Sequence, residues 1–251
     1  LDTLLFKRSS RGVTLTPDGE LLFEKVKEAL FLLDEGENSI RHNRSRDIPK
    51  LRLGASSTLT RYVLLSHLEN YIAHFPHVRI TISCQSTYQT LHLLDEEKID
   101  LGLIGRPQKL RGYYFHPLLK IRDTFVCTRQ YLENQKKLYP DEPLIQAATF
   151  MMLDEDNITR QTVNAQLKEH HVELSHILEV TTMDLLIQFA EIGLGIACVI
   201  RDFVKKELEE GTLVEVPVGF SFPPREIGFV CRQKDANLDL IVPFFGDGQG
   251  N

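Results

Sequence analysis

Hydroxyl side chains stand at several points of the sequence where a predicted strand ends and a helix begins. The runs are Ser56-Ser57-Thr58, Ser86-Thr87 and Thr181-Thr182. The first N–H groups of a helix have no partner inside the helix, so such positions can bind an anion. The same hydroxyls also suit plain helix caps. The runs therefore predict an anion site, provided that the fold brings them together.

Two other strand ends add polar groups. Gly105-Arg106 ends a predicted strand, where glycine lets a ligand approach the backbone and arginine can bind a carboxylate or phosphate with two hydrogen bonds. Thr128 stands near the end of another strand. The structural alternatives are a solvated turn at Arg106 and an ordinary strand threonine at Thr128. Together with the hydroxyl runs, these groups favour a small anionic ligand such as a carboxylate.

Strands and helices alternate after Lys50. Apolar β-branched runs predict strands, and apolar residues at helical spacing predict helices. The first stretch reads as strand 51–55, a helix that stops before Pro76, strand 78–84, helix 88–97 and strand 100–105. The predicted apolar face of the first helix consists of Leu59, Val63, Leu64, Leu68 and Ile72. The pattern returns as strand 150–153, helix 158–170, strand 177–180, helix 183–192 and strand 196–200, and two more strands are predicted at 213–218 and 226–232. Such βαβαβ units predict parallel strands with helices on both faces of the sheet.

The two α/β stretches predict two Rossmann-like lobes. The chain leaves the first lobe near Arg122 and returns near Pro223, so we assign lobe I to about residues 50–121 and 224–251, and lobe II to about 122–223. Two crossing segments make a hinge, and the carboxyl ends of the strands face the cleft between the lobes. The hydroxyl runs stand at those ends, which makes the cleft the predicted ligand site.

The beginning of the chain is basic. Lys7, Arg8 and Arg11 surround a turn that leads into the strand-like run Val13-Thr14-Leu15. A strand, a turn and a strand of this size predict a wing over residues 1–16. The three cations are candidates for contacts with DNA phosphates or the minor groove.

A helix is predicted directly after this wing. Thr16-Pro17-Asp18 is a strong helix start, and the helix runs to the early forties. Apolar residues on more than one side of it indicate a dimer seam. We assign residues 17–49 to a linker and dimerisation helix with a hinge, and residues 50–251 to a ligand-binding domain.

Composition limits the class of protein. The 251 residues carry a net charge of −6, with 42% hydrophobic and 25% charged residues, as in ordinary globular proteins. No apolar run approaches the roughly 18 residues of a membrane-spanning helix, and no segment has the pattern of a signal peptide, so a cytoplasmic protein is expected. Because the net charge is negative, any contact with nucleic acid must be local.

Catalytic and metal-binding motifs are missing from the sequence. The cysteines are far apart in strand-like runs, which predicts four reduced and buried thiols: Cys84, Cys127, Cys198 and Cys231. The sequence has no H-E-x-x-H, G-x-S-x-G or phosphate-binding P-loop motif. The pair Gly193 and Gly195 enters a strand instead of leaving one, so it is not a dinucleotide fingerprint. We therefore expect neither a catalytic site nor a metal or cofactor.

Three motifs together resemble one family. Residues 5–19 match the pattern L-F-x-R-x-x-R-x-x-x-L-T-x-x-G of LysR-type transcriptional regulators. Pro76 before a β-branched strand, followed by Ile99-Asp100-Leu101-Gly102-Leu103, is similar to the family's pattern F-x-x-x-x-P-x-V-x-L…D-L-A-I. Gly193-Leu194-Gly195-Ile196 is similar to its later G-x-G-I/V. The resemblance thus covers nearly the whole chain.

The resemblance implies a bacterial DNA-binding regulator and not an enzyme. It implies a winged helix-turn-helix, a long dimerising helix, and an effector domain with the type 2 architecture of periplasmic binding proteins. The recognition helix is expected to precede Leu1, which leaves the wing in this chain. The implied partners are double-stranded DNA, a small-molecule effector and a second copy, with dimers pairing into tetramers.

One alternative remains at this point. A solute-binding protein with the same two lobes would explain residues 51–251 equally well. It would not explain the basic wing and the apolar helix before them. A dimer held by residues 17–40 would favour the regulator, and a monomer would favour the solute-binding protein.

Overall fold

The structure is a computed structural model that describes residues 3–9, 12–26, 29 and 48–245. The chain divides into two compact units, Leu1–Pro49 and Lys50–Asn251, which we treat separately. Three predicted features lie outside the described residues: Arg11, most of the linker helix, and the hinge before Pro49. No helix in the described ranges is both long and apolar enough to span a bilayer.

The first unit contains a hairpin followed by a helix. Strands β1 (Phe6–Ser9) and β2 (Gly12–Leu15) pair antiparallel, as the predicted wing requires. Helix α1 is described over residues 17–26. Thr16 caps it, since its Oγ1 accepts the Gly19 N–H at 3.0 Å and its hydroxyl donates to the Leu4 carbonyl at 2.6 Å. The predicted helix start is therefore confirmed.

The first sheet of the second unit is mixed and has the strand order β4-β3-β5-β12-β6. Strands β3, β4 and β5 are parallel, as predicted, whereas β12 is antiparallel to both β5 and β6. We call this sheet and its helices lobe I. Its elements are β3 (Lys50–Ala55), α2 (Ser57–Leu59), a π turn (Thr60–Leu64), α3 (Leu65–His74), β4 (Arg79–Cys84), α4 (Thr87–Asp95), β5 (Leu101–Gly105), β6 (Tyr113–Ile121), β12 (Arg225–Arg232) and 3-10 turns at Gln233–Asp235 and Val242–Phe245.

The second sheet has the strand order β11-β7-β10-β8-β9. Strands β8, β9 and β10 are parallel, and β7 runs antiparallel to β10 and β11. We call this sheet and its helices lobe II. Its elements are β7 (Asp123–Cys127), α5 (Arg129–Leu138), α6 (Leu144–Ala147), β8 (Thr149–Met152), α7 (Ile158–Glu169), β9 (His176–Glu179), α8 (Met183–Glu191), β10 (Ile196–Ile200), a 3-10 turn (Arg201–Val204), α9 (Lys205–Glu210) and β11 (Val214–Glu215).

The predicted two-lobed α/β fold class is confirmed, with both sheets mixed. Strand β10 ends where the sequence pattern placed it, and most other boundaries differ by one or two residues. Strand β11 is much shorter than the predicted strand at 213–218 because its pairing with β7 covers only two residues.

Two expectations are wrong, and one helix was not predicted. Cys84 is exposed because β4 is an edge strand, whereas the other three cysteines are buried. Burial raises the pKa of the Cys127 thiol to about 12 and that of Cys231 to about 11.

Ile72 lies on the exposed side of α3, away from the core contacts of Leu68. Helix α5 was not predicted, because Tyr131 is the residue of that helix that is buried.

Candidate functional site

A small, partly open cavity lies where the carboxyl ends of strands from both sheets meet. Its volume is about 30 Å³, which holds only a few non-hydrogen atoms. We call it the inner cavity. Its polar lining comes from Ser56, Thr58, Ser86, Thr87, Asn157, Thr159 and Arg225, and its apolar lining includes Leu59, Leu153, Ile158, Met183, Ile200 and Ile227. Both lobes therefore contribute polar and apolar side chains to one small space.

Two of the lobe I hydroxyls in the inner cavity, Ser56 and Ser86, are helix caps. Ser56 Oγ accepts the Leu59 N–H at 3.2 Å, and Ser86 Oγ accepts the Gln89 N–H at 3.3 Å. The Gln89 side chain accepts the Ser86 N–H in return, which completes a capping box. A hydroxyl that accepts from its own helix still has a proton to donate. These two caps therefore leave donors on the cavity side.

The lobe II groups are arranged in the same way. Asn157 Oδ1 accepts the Thr159 N–H at 2.8 Å and so caps α7, which leaves the amide NH₂ of Asn157 to donate. Thr159 Oγ1 accepts from Arg225 Nη2 at 2.7 Å, which leaves its hydroxyl proton to donate. The walls from both lobes thus present groups that already accept one hydrogen bond and keep a proton to donate.

A buried ion pair joins the two lobes beside the inner cavity. Arg225, at the start of β12, donates from Nε to Asp123 Oδ2 at 2.7 Å and from Nη2 to Asp123 Oδ1 at 2.8 Å. The Asp123 side chain is 1% exposed and that of Arg225 is 13% exposed. Nη1 has no hydrogen bond among the described residues, and it lies 3.1 Å from the point where a Cβ on Gly105 would stand. Glycine at 105 therefore leaves room for this guanidinium.

A wider groove of about 660 Å³ adjoins the inner cavity, and we call it the outer groove. It shares Ser56, Thr58, Ser86, Leu153 and Asn157 with the cavity and adds Ser57, Cys84, Gln85, Tyr88, Gln89, Asp154, Asp156 and Thr181. Tyr88 of lobe I donates to Gln161 Oε1 of lobe II at 3.3 Å. The inner cavity thus borders a space large enough for the body of a metabolite.

A third interlobe contact lies on helix residues 57–74. Tyr62, in the π turn, donates to Asp184 Oδ1 at 3.0 Å and stacks on Phe203 with 4.3 Å between ring centroids. Arg61 Nη1 lies 3.3 Å from the same carboxylate oxygen. Burial, and next the hydrogen bond to Asp184, raise the pKa of Tyr62 to about 12. The helix that begins at the cavity is therefore tied to α8 of lobe II.

Most of the residues predicted for the ligand site lie along this cleft. Ser56, Thr58, Ser86, Thr87 and Gly105 line the inner cavity, whereas Ser57 and Thr181 line the outer groove. The sequence pattern therefore pointed to residues that the fold brings together from both lobes.

Three of the predicted residues lie elsewhere. Arg106 Nη1 is 2.5 Å from Glu226 Oε2, and its guanidinium lies 5.2 Å from the Phe115 ring centroid. Thr128 caps α5 by accepting the Tyr131 N–H at 3.2 Å, and Thr182 caps α8 by accepting the Leu185 N–H at 3.3 Å. Each of these side chains has a structural partner, and none of the three lines the inner cavity or the outer groove.

The sequence patterns missed Asn157, Thr159, Asp123 and Arg225. Asn157 stands directly before a predicted helix, so the N-cap rule that selected Ser56 would have selected it as well. Asp123 and Arg225 are 102 residues apart, and no local pattern connects them. A charged residue at each crossing between the lobes was the available signal.

The predicted DNA contacts lie in the other unit. Lys7 and Arg8 are on β1 opposite Thr14 and Val13, and both are exposed. Arg11 lies outside the described residues. The two described cations thus stand on the hairpin that was predicted as a wing.

Comparison with known proteins identifies relatives over most of the chain. The model of the LysR substrate binding domain matches residues 45–244. The HTH-type transcriptional regulator YeiE of Escherichia coli is 24% identical over 229 residues, which is 87% of this chain and 72% of YeiE. YusT of Bacillus subtilis, also named an HTH-type transcriptional regulator, is 25% identical over 98% of this chain and 80% of YusT. These relatives are named regulators and not enzymes.

Solved structures share the fold of the second unit. The regulatory domain of HypT from Salmonella typhimurium superposes with a TM-score of 0.65 at 15% identity, covering 79% of this chain and 92% of that one. The effector binding domain of QuiR in complex with shikimate gives a TM-score of 0.60 at 13% identity. This superposition covers 79% of this chain and 94% of the QuiR domain. At these identities the likeness concerns the two-lobed fold.

Proposed function

Since this chain belongs to the LysR family of transcriptional regulators, we propose that its cleft binds a small anionic effector and that effector binding alters DNA binding or transcription. The observation that carries the proposal is the donor set of the inner cavity. Hydroxyls of Ser56, Ser86 and Thr159, the amide of Asn157 and the Arg225 guanidinium surround one small volume.

The chemistry of these groups favours an acceptor-rich ligand. Four of them already accept a hydrogen bond from a backbone N–H or from Arg225, so each offers a proton to a ligand. A carboxylate or a similar oxyanion accepts several hydrogen bonds at once, and hydrogen bonds to a charged group are about twice as strong as neutral ones. A ligand that mainly donates would leave these donors unsatisfied.

The position of the cavity supports a switching role. Its donors come from lobe I and lobe II, so a bound ligand contacts both lobes and favours the lobe arrangement in which all donors reach it. Two-lobed domains change shape by hinge motion at the crossing segments. An effector that binds one lobe arrangement more tightly shifts the population toward that arrangement, which is the required input for a regulator.

Affinity measurements on the full chain test the anion site. We expect calorimetric titration with sulfate and with a panel of carboxylates that includes shikimate to identify at least one ligand. Loss of a hydrogen bond to a charged group costs about 1.5–3 kcal/mol, so Thr159→Val and Ser56→Ala should each weaken binding roughly tenfold or more. Ser66→Ala is the matched control, because Ser66 is exposed on α3 and binds the Val63 carbonyl. Equal affinities in all four proteins would contradict the site.

We propose that the DNA contact is made through the basic wing. Lys7 and Arg8 are exposed on β1, and Arg11 follows them in the sequence, so these three cations are the candidates to neutralise DNA phosphates. We further propose a cytoplasmic homodimer held by residues 17–49 that pairs into a tetramer, with double-stranded DNA as partner. On a DNA fragment that the protein binds, Arg8→Ala should reduce the slope of log K against log salt by about 1. An unchanged slope would exclude a phosphate contact at Arg8.

A further inference from the structure

The two ends of the cleft carry opposite polarity. The inner cavity is lined with hydrogen-bond donors and one guanidinium, whereas the outer groove contains the exposed carboxylates of Asp154 and Asp156. None of the described residues that line the outer groove is a lysine, arginine or histidine. Neither carboxylate takes part in an ion pair among the residues that the structure describes.

One short turn carries both kinds of group. Residues 153–157 connect β8 to α7, and the Asn157 N–H donates to the Asp154 carbonyl at 2.9 Å, which closes the turn. Asn157 lines both spaces, so the two carboxylates follow directly on the donor that faces the inner cavity. A ligand that places its anionic head against Asn157 and Thr159 therefore extends past Asp154 and Asp156.

The charge balance beside the cavity favours a cationic group over a second anionic group at the far end of the ligand. Asp123 already neutralises Arg225 through two hydrogen bonds, so the cleft has no surplus of positive charge to offset a second anionic group on the ligand. A carboxylate placed in the outer groove would meet two like charges. An ammonium or guanidinium group placed there would meet two partners that are now solvated.

We propose that the effector is zwitterionic, with an anionic head in the inner cavity and a cationic group in the outer groove beside Asp154 and Asp156. This inference rests on the proposed anion site and assigns the far end of the same ligand. Amino acids and related amino-carboxylates that carry an amine or guanidinium away from the carboxylate have this chemistry. Dicarboxylates of equal length do not.

Three probes of equal length separate the alternatives. Hexanoate, adipate and 5-aminopentanoate share a carboxylate at one end and differ at the sixth position, which is a methyl, a carboxylate or an ammonium group. At low salt the full chain should bind 5-aminopentanoate most tightly and adipate least, with about tenfold between them from two exposed charge pairs. The ratio should shrink as ionic strength rises, because exposed charges are screened.

Removing the two carboxylates should abolish the discrimination. In Asp154→Asn with Asp156→Asn the affinity for adipate should rise, that for 5-aminopentanoate should fall, and the ratio should approach one. The matched control is Asp141→Asn with Glu142→Gln, which removes two exposed charges outside the groove and should keep the wild-type ratio.

The remaining outcomes distinguish this inference from the proposed anion site. If adipate binds the wild-type chain as tightly as 5-aminopentanoate, and Thr159→Val weakens both, the anion site holds and the zwitterion inference is wrong. An unchanged ratio in the Asp154 and Asp156 double variant also overturns it. If none of the three probes binds even at high concentration, the anion site fails and the inference fails with it.

Discussion

Removing the Asp123 carboxylate leaves a buried guanidinium without its partner. In Asp123→Ala, Arg225 loses the bonds from Nε at 2.7 Å and from Nη2 at 2.8 Å and keeps the bond to Thr159. Because both side chains are largely buried, the uncompensated charge should lower the free energy of unfolding by about 3–5 kcal/mol. For a domain of this size that is a loss of about 6–20 °C in Tm.

Urea and thermal unfolding of the full chain measure this cost. Asp141→Ala removes an exposed carboxylate in the same lobe and should change the free energy of unfolding by less than about 0.5 kcal/mol. The double variant Asp123→Leu with Arg225→Met removes both charges, so it should recover most of the lost stability. Added sulfate should stabilise Asp123→Ala more than the wild-type chain, because sulfate can pair with the Arg225 nitrogens that have lost the Asp123 carboxylate.

Two results would refute this reasoning. If Asp123→Ala unfolds within 1 kcal/mol of the wild-type chain, the pair is solvated and not a buried interlobe contact. If the double variant is no more stable than Asp123→Ala, the loss comes from disturbed packing at the crossing and not from the unpaired guanidinium.

Three shorter predictions follow from other contacts. Burial lowers the pKa of His116 below its usual 6.5, so near that pH the folded state binds fewer protons than the unfolded state. The free energy of unfolding should therefore fall as pH drops below about 6.5. His116→Gln should show a smaller fall in Tm between pH 7.5 and 5.5 than the wild-type chain. The raised pKa of Tyr62 contributes stability that is lost between pH 10 and about 12, and Tyr62→Phe should lack this loss while losing about 0.5–1.5 kcal/mol at pH 7 with the bond to Asp184. A Cβ at Gly228 would lie 2.2 Å from the His116 carbonyl oxygen, so Gly228→Ala should cost about 3 kcal/mol or prevent folding, and urea unfolding that matches the wild-type chain would contradict the close approach.

The alternation of strands and helices was readable because each element buries a recognisable stripe. Strand β10 and the starts of α7 and α8 lie where the apolar pattern and the capping residues placed them. The sequence pattern did not predict helix α5, because its one buried residue, Tyr131, does not form an apolar stripe. The start of this helix depends on the Thr128 cap. Cys84 looked like a core residue because sequence does not show that β4 is an edge strand.

The candidate site was partly readable for the same reason. Hydroxyls at helix starts are local features, and Ser56, Thr58, Ser86 and Thr87 do line the inner cavity. Thr182 has the same local signature but caps α8 outside the cavity. Local pattern identifies a capped helix start, and the direction that the cap faces depends on how the helix packs.

The sequence by itself determined the two-lobed α/β class, the family and the hydroxyl-capped strand ends, because each depends on spacing over a few residues. Only the tertiary structure decided that Arg225 meets Asp123 from 102 residues away, that its guanidinium faces the cavity beside Gly105, and that Arg106 turns to Glu226 instead. The tertiary structure also placed hydrogen-bond donors at the inner end of the cleft and carboxylates at its outer end. Those arrangements join segments from both crossings of the chain, and distance in space between such segments is fixed by packing and not by local spacing.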